Sequence, residues 1–256
     1  IIRSVNNPFY KKLLSSFFLE DKEFEKRFKF HSAAKTVHHG FVGGLLEHTL
    51  SVTKHCDYFA AYYPMLNRDL IVTAAIFHDI GKLEELSVFP ENDYTDEGQL
   101  LGHIVIGVEM IGDAVRNIPD FPEKLANELK HCIVAHHGEL EYGSPKKPAL
   151  AEAMALNLAD MTDAKMQTMK ELFKDKNTTE WIGYNRLFES NLRKSSLSFH
   201  LKFLSSIILL LPVFFQTSSL KSLLLFHFIL NPFFILHHRI EQLFRILLRH
   251  FVIIFL

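Results

Sequence analysis

Seven residues stand in an order that suits metal chemistry: His48, the adjacent pair His78-Asp79, His103, the pair His136-His137, and Asp160. Successive members lie about one helix and one loop apart. Imidazole nitrogens and carboxylate oxygens are the donors that hold divalent first-row metals, and such ions activate water for hydrolysis at neutral pH. Several of the seven sit in apolar runs. His78 follows Ala74-Ala75-Ile76-Phe77, His103 lies between Leu101 and Ile104, and Asp160 ends the run Ala155-Leu156-Asn157-Leu158-Ala159. An unpaired carboxylate in such a run is costly, whereas a metal ion turns its burial into coordination. One histidine alone in such a place is more often a satisfied core residue. The adjacent His-Asp followed by Ile-Gly-Lys, with five further candidates, makes coincidence a poor account.

Other residues have two readings each. Lys82, three residues after Asp79, could reach a phosphate oxygen, or simply answer a helix dipole at a C-terminus. Asp163, one helical turn after Asp160, could orient a ligand histidine, or be solvated. Lys146-Lys147, in a Gly-Ser-Pro loop after the paired histidines, could touch a nucleic-acid backbone, or only keep a loop soluble. His38-His39 precede a glycine turn and read as rim residues rather than ligands.

The elements that must position these groups read as helices, because the apolar period is helical almost throughout. Asn7-Pro8 is an N-cap signal before Phe9, Leu13 and Phe17. Gly43-Gly44 precedes a long helix with Leu45, Thr49, Val52, Cys56 and Phe59. Asn67 caps one with Leu70, Ile71, Ala74 and Phe77, stopped at Gly81. A single helix is expected from Asp96 through Leu100, Ile104, Val108 and Ile111, closed by Pro119. Pro122 starts the next, with Leu125, Leu129 and Ile133, and Gly138 ends it in a left-handed cap. A last helix is expected from about Pro148 to Phe173. No alternating strand of convincing length is evident, so the fold class is all-α.

Composition narrows the chemistry further. The 256 residues carry 28 Lys and Arg against 29 Asp and Glu, so a net charge of -1 announces no global field for nucleic acid. Cys56 and Cys132 are too few for a disulfide framework, suit a reducing compartment, and form no CxxC pair for a thiolate zinc site. Fifteen histidines are an unusual number for this length. No signal peptide opens the chain, which starts at Ile1, so the N-terminus reads as cut.

His48, His78-Asp79 and Asp160 together resemble the HD superfamily of metal-dependent phosphohydrolases, an all-α helical fold. Four longer strings are similar to its YhaM-type 3'–5' exoribonucleases: residues 39–49 (HGFVGGLLEHT), 89–98 (FPENDYTDEG), 135–145 (AHHGELEYGSP) and 181–185 (WIGYN). The resemblance covers about residues 1–193. It implies two divalent metal ions, one held by His48, His78 and Asp160 and bridged through Asp79 to a second, which His103 and His136 complete with His137 close by. Manganese is the ion it favours, with Fe, Co or Zn also compatible with the donors. Asp79 and Lys82 would be the catalytic pair, and Lys82, Lys146 and Lys147 the substrate contacts. The implied activity is hydrolysis of single-stranded RNA from the 3' end to nucleoside monophosphates by metal-activated water, in the cytoplasm. The resemblance leaves open single-stranded DNA as a substrate, a homo-oligomer, and a nucleotide phosphohydrolase acting on a small nucleotide. The family also carries an N-terminal OB-fold domain with no counterpart in this chain, so weak binding of single strands is expected.

The C-terminal stretch departs from the family. Residues 1–194 read as the HD domain and residues 195–256 as an atypical apolar tail of Leu, Phe, Ile, Ser and His with Glu241 as its only acid. Its two apolar runs are each shorter than the ~18–20 residues that span a bilayer, and each holds a proline, Pro212 or Pro232. The tail reads as a shifted reading frame rather than a membrane hairpin, and no membrane association is expected unless it is a native segment.

Overall fold

The computed structural model describes residues 1–35, 39–176 and 178–195. The chain divides into two compact units, residues 1–175 and 176–256. All of the candidate site residues belong to the first, and the apolar tail from residue 196 onward lies outside the described residues, as does His38.

The first unit is built of helices: α1 (Pro8–Ser15), α2 (Lys22–Phe30), α3 (Gly44–Tyr62), α4 (Arg68–Phe77), α5 (Lys82–Glu85), α6 (Asp96–Leu100), α7 (Gly102–Arg116), α8 (Glu123–Val134) and α9 (Ala151–Phe173). The capping signals act as their residue types require. Asn7 accepts from the N–H groups of Phe9 and Tyr10, and Asn67 from that of Leu70, which satisfies donors that a helix start leaves unpaired. α4 is the central helix. Every residue from Leu70 to Phe77 is buried, and it packs against α3, α8, α9 and α1. A helix apolar all round belongs in the middle of a bundle, and its C-terminal end delivers His78 and Asp79 there.

Three details differ from the sequence reading. The helix expected from Asp96 to Ile111 is two, α6 and α7, broken where Gly102 takes a φ of 73° that a side-chain-bearing residue rarely adopts. α8 stops at Val134, so His136-His137 stand in the turn beyond it, before Gly138 in its left-handed conformation. The second unit holds an antiparallel pair where the sequence pattern shows no strand, β1 (Trp181–Asn185) and β2 (Ser190–Arg193). Trp181 and Tyr184 are both exposed, so β1 lacks the buried-exposed alternation that marks a strand in sequence.

Candidate metal centre

His78 and His136 reach the site by the same local device. Each stands just past a helix C-terminus, where the last carbonyls have no helical partner. His78 Nδ1 donates to the Ala75 carbonyl at 2.8 Å and His136 Nδ1 to the Ile133 carbonyl at 2.7 Å, each three residues back. The helix end thereby sets both the ring orientation and the tautomer. His48, on α3, donates from Nδ1 to Asp163 Oδ2 at 2.7 Å. His103, at the start of α7, donates from Nδ1 to Glu85 Oε1 at 2.9 Å, and its backbone N–H donates to the same oxygen at 3.0 Å. His137 donates from Nδ1 to the Tyr142 carbonyl at 2.8 Å. Five imidazoles thus spend Nδ1 on a protein acceptor, which leaves the lone pair on Nε2.

Those Nε2 atoms converge around Asp79. Its Oδ2 lies 3.4 Å from both His48 Nε2 and His78 Nε2, while its Oδ1 lies 3.5 Å from His103 Nε2 and 3.7 Å from His136 Nε2. Asp160 Oδ1 closes the first group at 3.1 Å from His48 Nε2 and 3.9 Å from His78 Nε2. Three groups of donors lie close enough to hold a metal ion: His48 with His78 and Asp160, His103 with His136 and His137, and His39 with His48 and Asp163, which shares His48 with the first. His137 therefore stands inside the second set rather than beside it.

The donor chemistry fits divalent ions on two counts. His103 Nε2 and His136 Nε2 are buried with no hydrogen-bond partner, an expensive arrangement for polar atoms unless something coordinates them. His48 Nε2 and His78 Nε2 stand 3.1 Å apart, and two facing lone pairs at that distance call for a cation between them, a proton or a metal ion. Burial alone would lower the His48 pKa, but its bonds to Asp160, Asp163 and Asp79 outweigh this and hold it well above the usual histidine value. Burial pushes His136 well down, helped by His137 and His78, and pushes His137 down as well, so both stay neutral and able to ligate. Burial would raise the Asp79 carboxyl, yet the Lys82 ammonium and the His78 and His48 rings hold it well below the usual carboxylate range.

Lys82 is the first residue of the four-residue α5 and the basic residue of its last turn. Its partly buried side chain brings Nζ to 2.6 Å from Asp79 Oδ2, and the Asp79 charge outweighs desolvation to raise its pKa. Asp163 is buried on α9 and accepts from His39 Nε2 at 3.0 Å as well as from His48, so it fixes the His48 ring and is not merely solvated. Glu85 does the same for His103, and neither Glu85 nor His39 stands out in sequence. Glu85 lies in the ordinary charged string KLEEL, and the buried His39 shows only as part of a pair that looks like a rim.

A cavity of about 300 Å³ opens onto the centre, lined by Asp79, Lys82, His103 and Asp160 and, at its mouth, by Lys35 and Tyr94. Lys146 and Lys147 do not line it. Both are exposed, and Lys147 pairs with Glu139 in a loop that carries a second left-handed glycine, Gly143. Holding α5 against α7 depends on Gly81, where an added Cβ would come within 2.0 Å of the His103 carbonyl oxygen. No described helix is long and apolar enough to cross a membrane.

Residues 45–165 match the family model of the HD domain. Among curated relatives, the chain is 38% identical over 168 residues to the 3'-5' exoribonuclease YhaM of Oceanobacillus iheyensis, across 66% of this chain and 52% of that protein. It is 42% identical over 148 residues to the protein of the same name from Bacillus subtilis (58% of this chain, 47% of that one). It is 39% identical over 153 residues to that of Listeria monocytogenes (60% and 49%). The chain spans about half the length of these relatives. No solved structure matches it.

Proposed function

With residues 45–165 as an HD domain, we propose that this chain is a metal-dependent 3'–5' exoribonuclease that hydrolyses single-stranded RNA to nucleoside monophosphates. The observation that carries the reading is the division of Asp79, one carboxylate oxygen toward His48 and His78 and the other toward His103 and His136. In this reading His48, His78, Asp160 and Asp79 hold one divalent ion, and Asp79, His103, His136 and His137 hold a second. Manganese is the ion we propose, although Fe, Co and Zn accept the same donors. Two such ions would supply Lewis-acid activation of the phosphodiester and of the attacking water.

The protein's own groups do the rest. Two divalent charges against Asp79 and Asp160 leave about +2 at the base of the cavity, which with Lys82 attracts a phosphodiester into a protein of near-neutral net charge. Lys82 holds its ammonium at Asp79, within the cavity, where a phosphate oxygen can share it. Asp163 and Glu85 keep His48 and His103 in the tautomer that presents Nε2. A cavity of about 300 Å³ is at the small end for ligand sites and suits one nucleotide rather than several, which favours removal of terminal residues one at a time.

The test is a 5'-labelled single-stranded RNA with a free 3' hydroxyl, incubated with the manganese-loaded protein beside a 3'-blocked strand, a DNA strand and a panel of mononucleotides. A ladder shortening from the free 3' end, abolished by chelation, is expected. Equal cleavage of the blocked strand rules out an exonuclease, and turnover confined to mononucleotides transfers the site to a nucleotide phosphohydrolase.

A further inference from the structure

The mouth of the cavity carries an aromatic ring that the metal chemistry does not use. Tyr94 lines the cavity and keeps 46% of its surface exposed. Exposed tyrosines on mobile loops are common, but this one is tied down on both sides. Leu86 and Tyr94 form an antiparallel bridge, the Ser87 N–H donates to the Asp93 carbonyl at 2.7 Å, and the Thr95 N–H donates to the Glu85 carbonyl at 3.0 Å. The strap from residue 86 to 95 therefore starts and ends beside Glu85, the residue that orients His103.

Asn92 ties this strap to the segment of residues 32–35. It is buried with a φ of 46°, a left-handed conformation that asparagine tolerates better than most residues. Its Nδ2 donates to the carbonyls of Ala34 and Lys35, each at 3.1 Å, and its Oδ1 accepts from Ser32 Oγ. Residues 33–35 also line the cavity, and the Lys35 ammonium, paired with Asp93, lies over the Tyr94 ring at 5.9 Å from its centre. An aromatic ring thus lines a cavity of single-nucleotide size, on a backbone tied at both ends and with the Lys35 ammonium over one of its faces.

We propose that Tyr94 is the stacking platform for the nucleobase of the nucleotide whose phosphate enters the metal centre. The proposal rests on the nucleotide-cleaving reading of the site, and it names the part of the substrate that the donors and Lys82 do not recognise. An aromatic face accepts any base, so Tyr94 contributes affinity and alignment without sequence preference. The hydroxyl is not needed for stacking, which makes Tyr94→Phe the informative partner to Tyr94→Ala. Both changes fall on a half-exposed side chain outside the core.

The experiment measures binding of adenosine 5'-monophosphate and of ribose 5-phosphate to the metal-loaded full chain by calorimetry, in the native protein and in both variants. The native protein should bind the nucleotide roughly tenfold more tightly than the sugar phosphate, a gap that Tyr94→Phe keeps and Tyr94→Ala removes. A parallel kinetic arm compares RNA ending in a normal 3' nucleotide with RNA ending in an abasic one, and Tyr94→Ala should raise KM for the first alone. No gap in the native protein, or the same gap in Tyr94→Ala, overturns the proposal. Should RNA remain uncut while the gap depends on Tyr94, the exonuclease reading fails and the stacking role stands. RNA cleavage with a gap indifferent to Tyr94 removes the stacking role and leaves the exonuclease reading in place.

Discussion

Asp163→Asn separates the two halves of the metal centre. The asparagine keeps the shape of the side chain but removes the charge that accepts from His48 Nδ1 at 2.7 Å and from His39 Nε2 at 3.0 Å. His48 then has a neutral amide oxygen as its acceptor in place of a charged carboxylate, so its proton is held on Nδ1, and its lone pair on Nε2, less firmly. Changes of this kind behind a ligand histidine cost ~10–100-fold in metal affinity, or ~1.4–2.7 kcal/mol. The geometry adds a sharper expectation. Asp163 touches His48 of the first donor set, while His103 takes its orientation from Glu85 and His136 from the Ile133 carbonyl. Only one of two binding steps should therefore weaken. A competitive titration against a chromophoric chelator resolves the two steps, with circular dichroism to confirm that the helices persist. Affinity unchanged within about twofold for both steps, or an equal loss in both, would refute the reasoning that Asp163 acts through His48.

Further outcomes follow from the same geometry. Glu85→Gln should give the mirror image, weakening the step that uses His103 by ~10–100-fold and sparing the other, as read in the same titration. Gly81→Ala should destabilise the fold by ~1–3 kcal/mol in urea melts and lower the affinity of the His103 set, because the new methyl group collides with the His103 carbonyl and pushes α7 away from Asp79. Burial, with Glu152 and Glu128 nearby, pushes the Cys132 thiol from its ordinary 9.0 up to about 12. A pKa raised in the folded state means stability that is intact below pH 9 and lost as pH climbs toward 12, at ~1.4 kcal/mol per pH unit. Urea melts between pH 8 and 11 should show that slope, reduced in Cys132→Ala, and native protein should resist thiol alkylation at pH 8.

The donors were legible in sequence because each breaks a local rule. Asp79 and Asp160 are carboxylates in apolar helical runs, and His78 follows four apolar residues, so each announces a buried polar group in need of a partner. The groups behind the donors break no such rule. Glu85 sits in a string that any surface helix could carry, and His39 reaches Asp163 across 124 positions. Lys35 and Tyr94 meet where Asn92 and Asp93 join their loops, Asn92 lying 57 residues from Lys35 in the chain. Lys146 and Lys147 follow His136-His137 closely in the chain, yet neither lines the cavity, and Lys147 pairs with Glu139. The break between α6 and α7 leaves no mark in the apolar pattern, because Leu100, Ile104 and Val108 keep helical register straight across Gly102.

The central claim is that one carboxylate, Asp79, serves two ions, and metal stoichiometry tests it most directly. Elemental analysis of the manganese-loaded chain against protein concentration should find about two ions in the native protein and fewer than one in Asp79→Ala, with helical content retained. One ion in the native protein, or two in Asp79→Ala, would contradict the account.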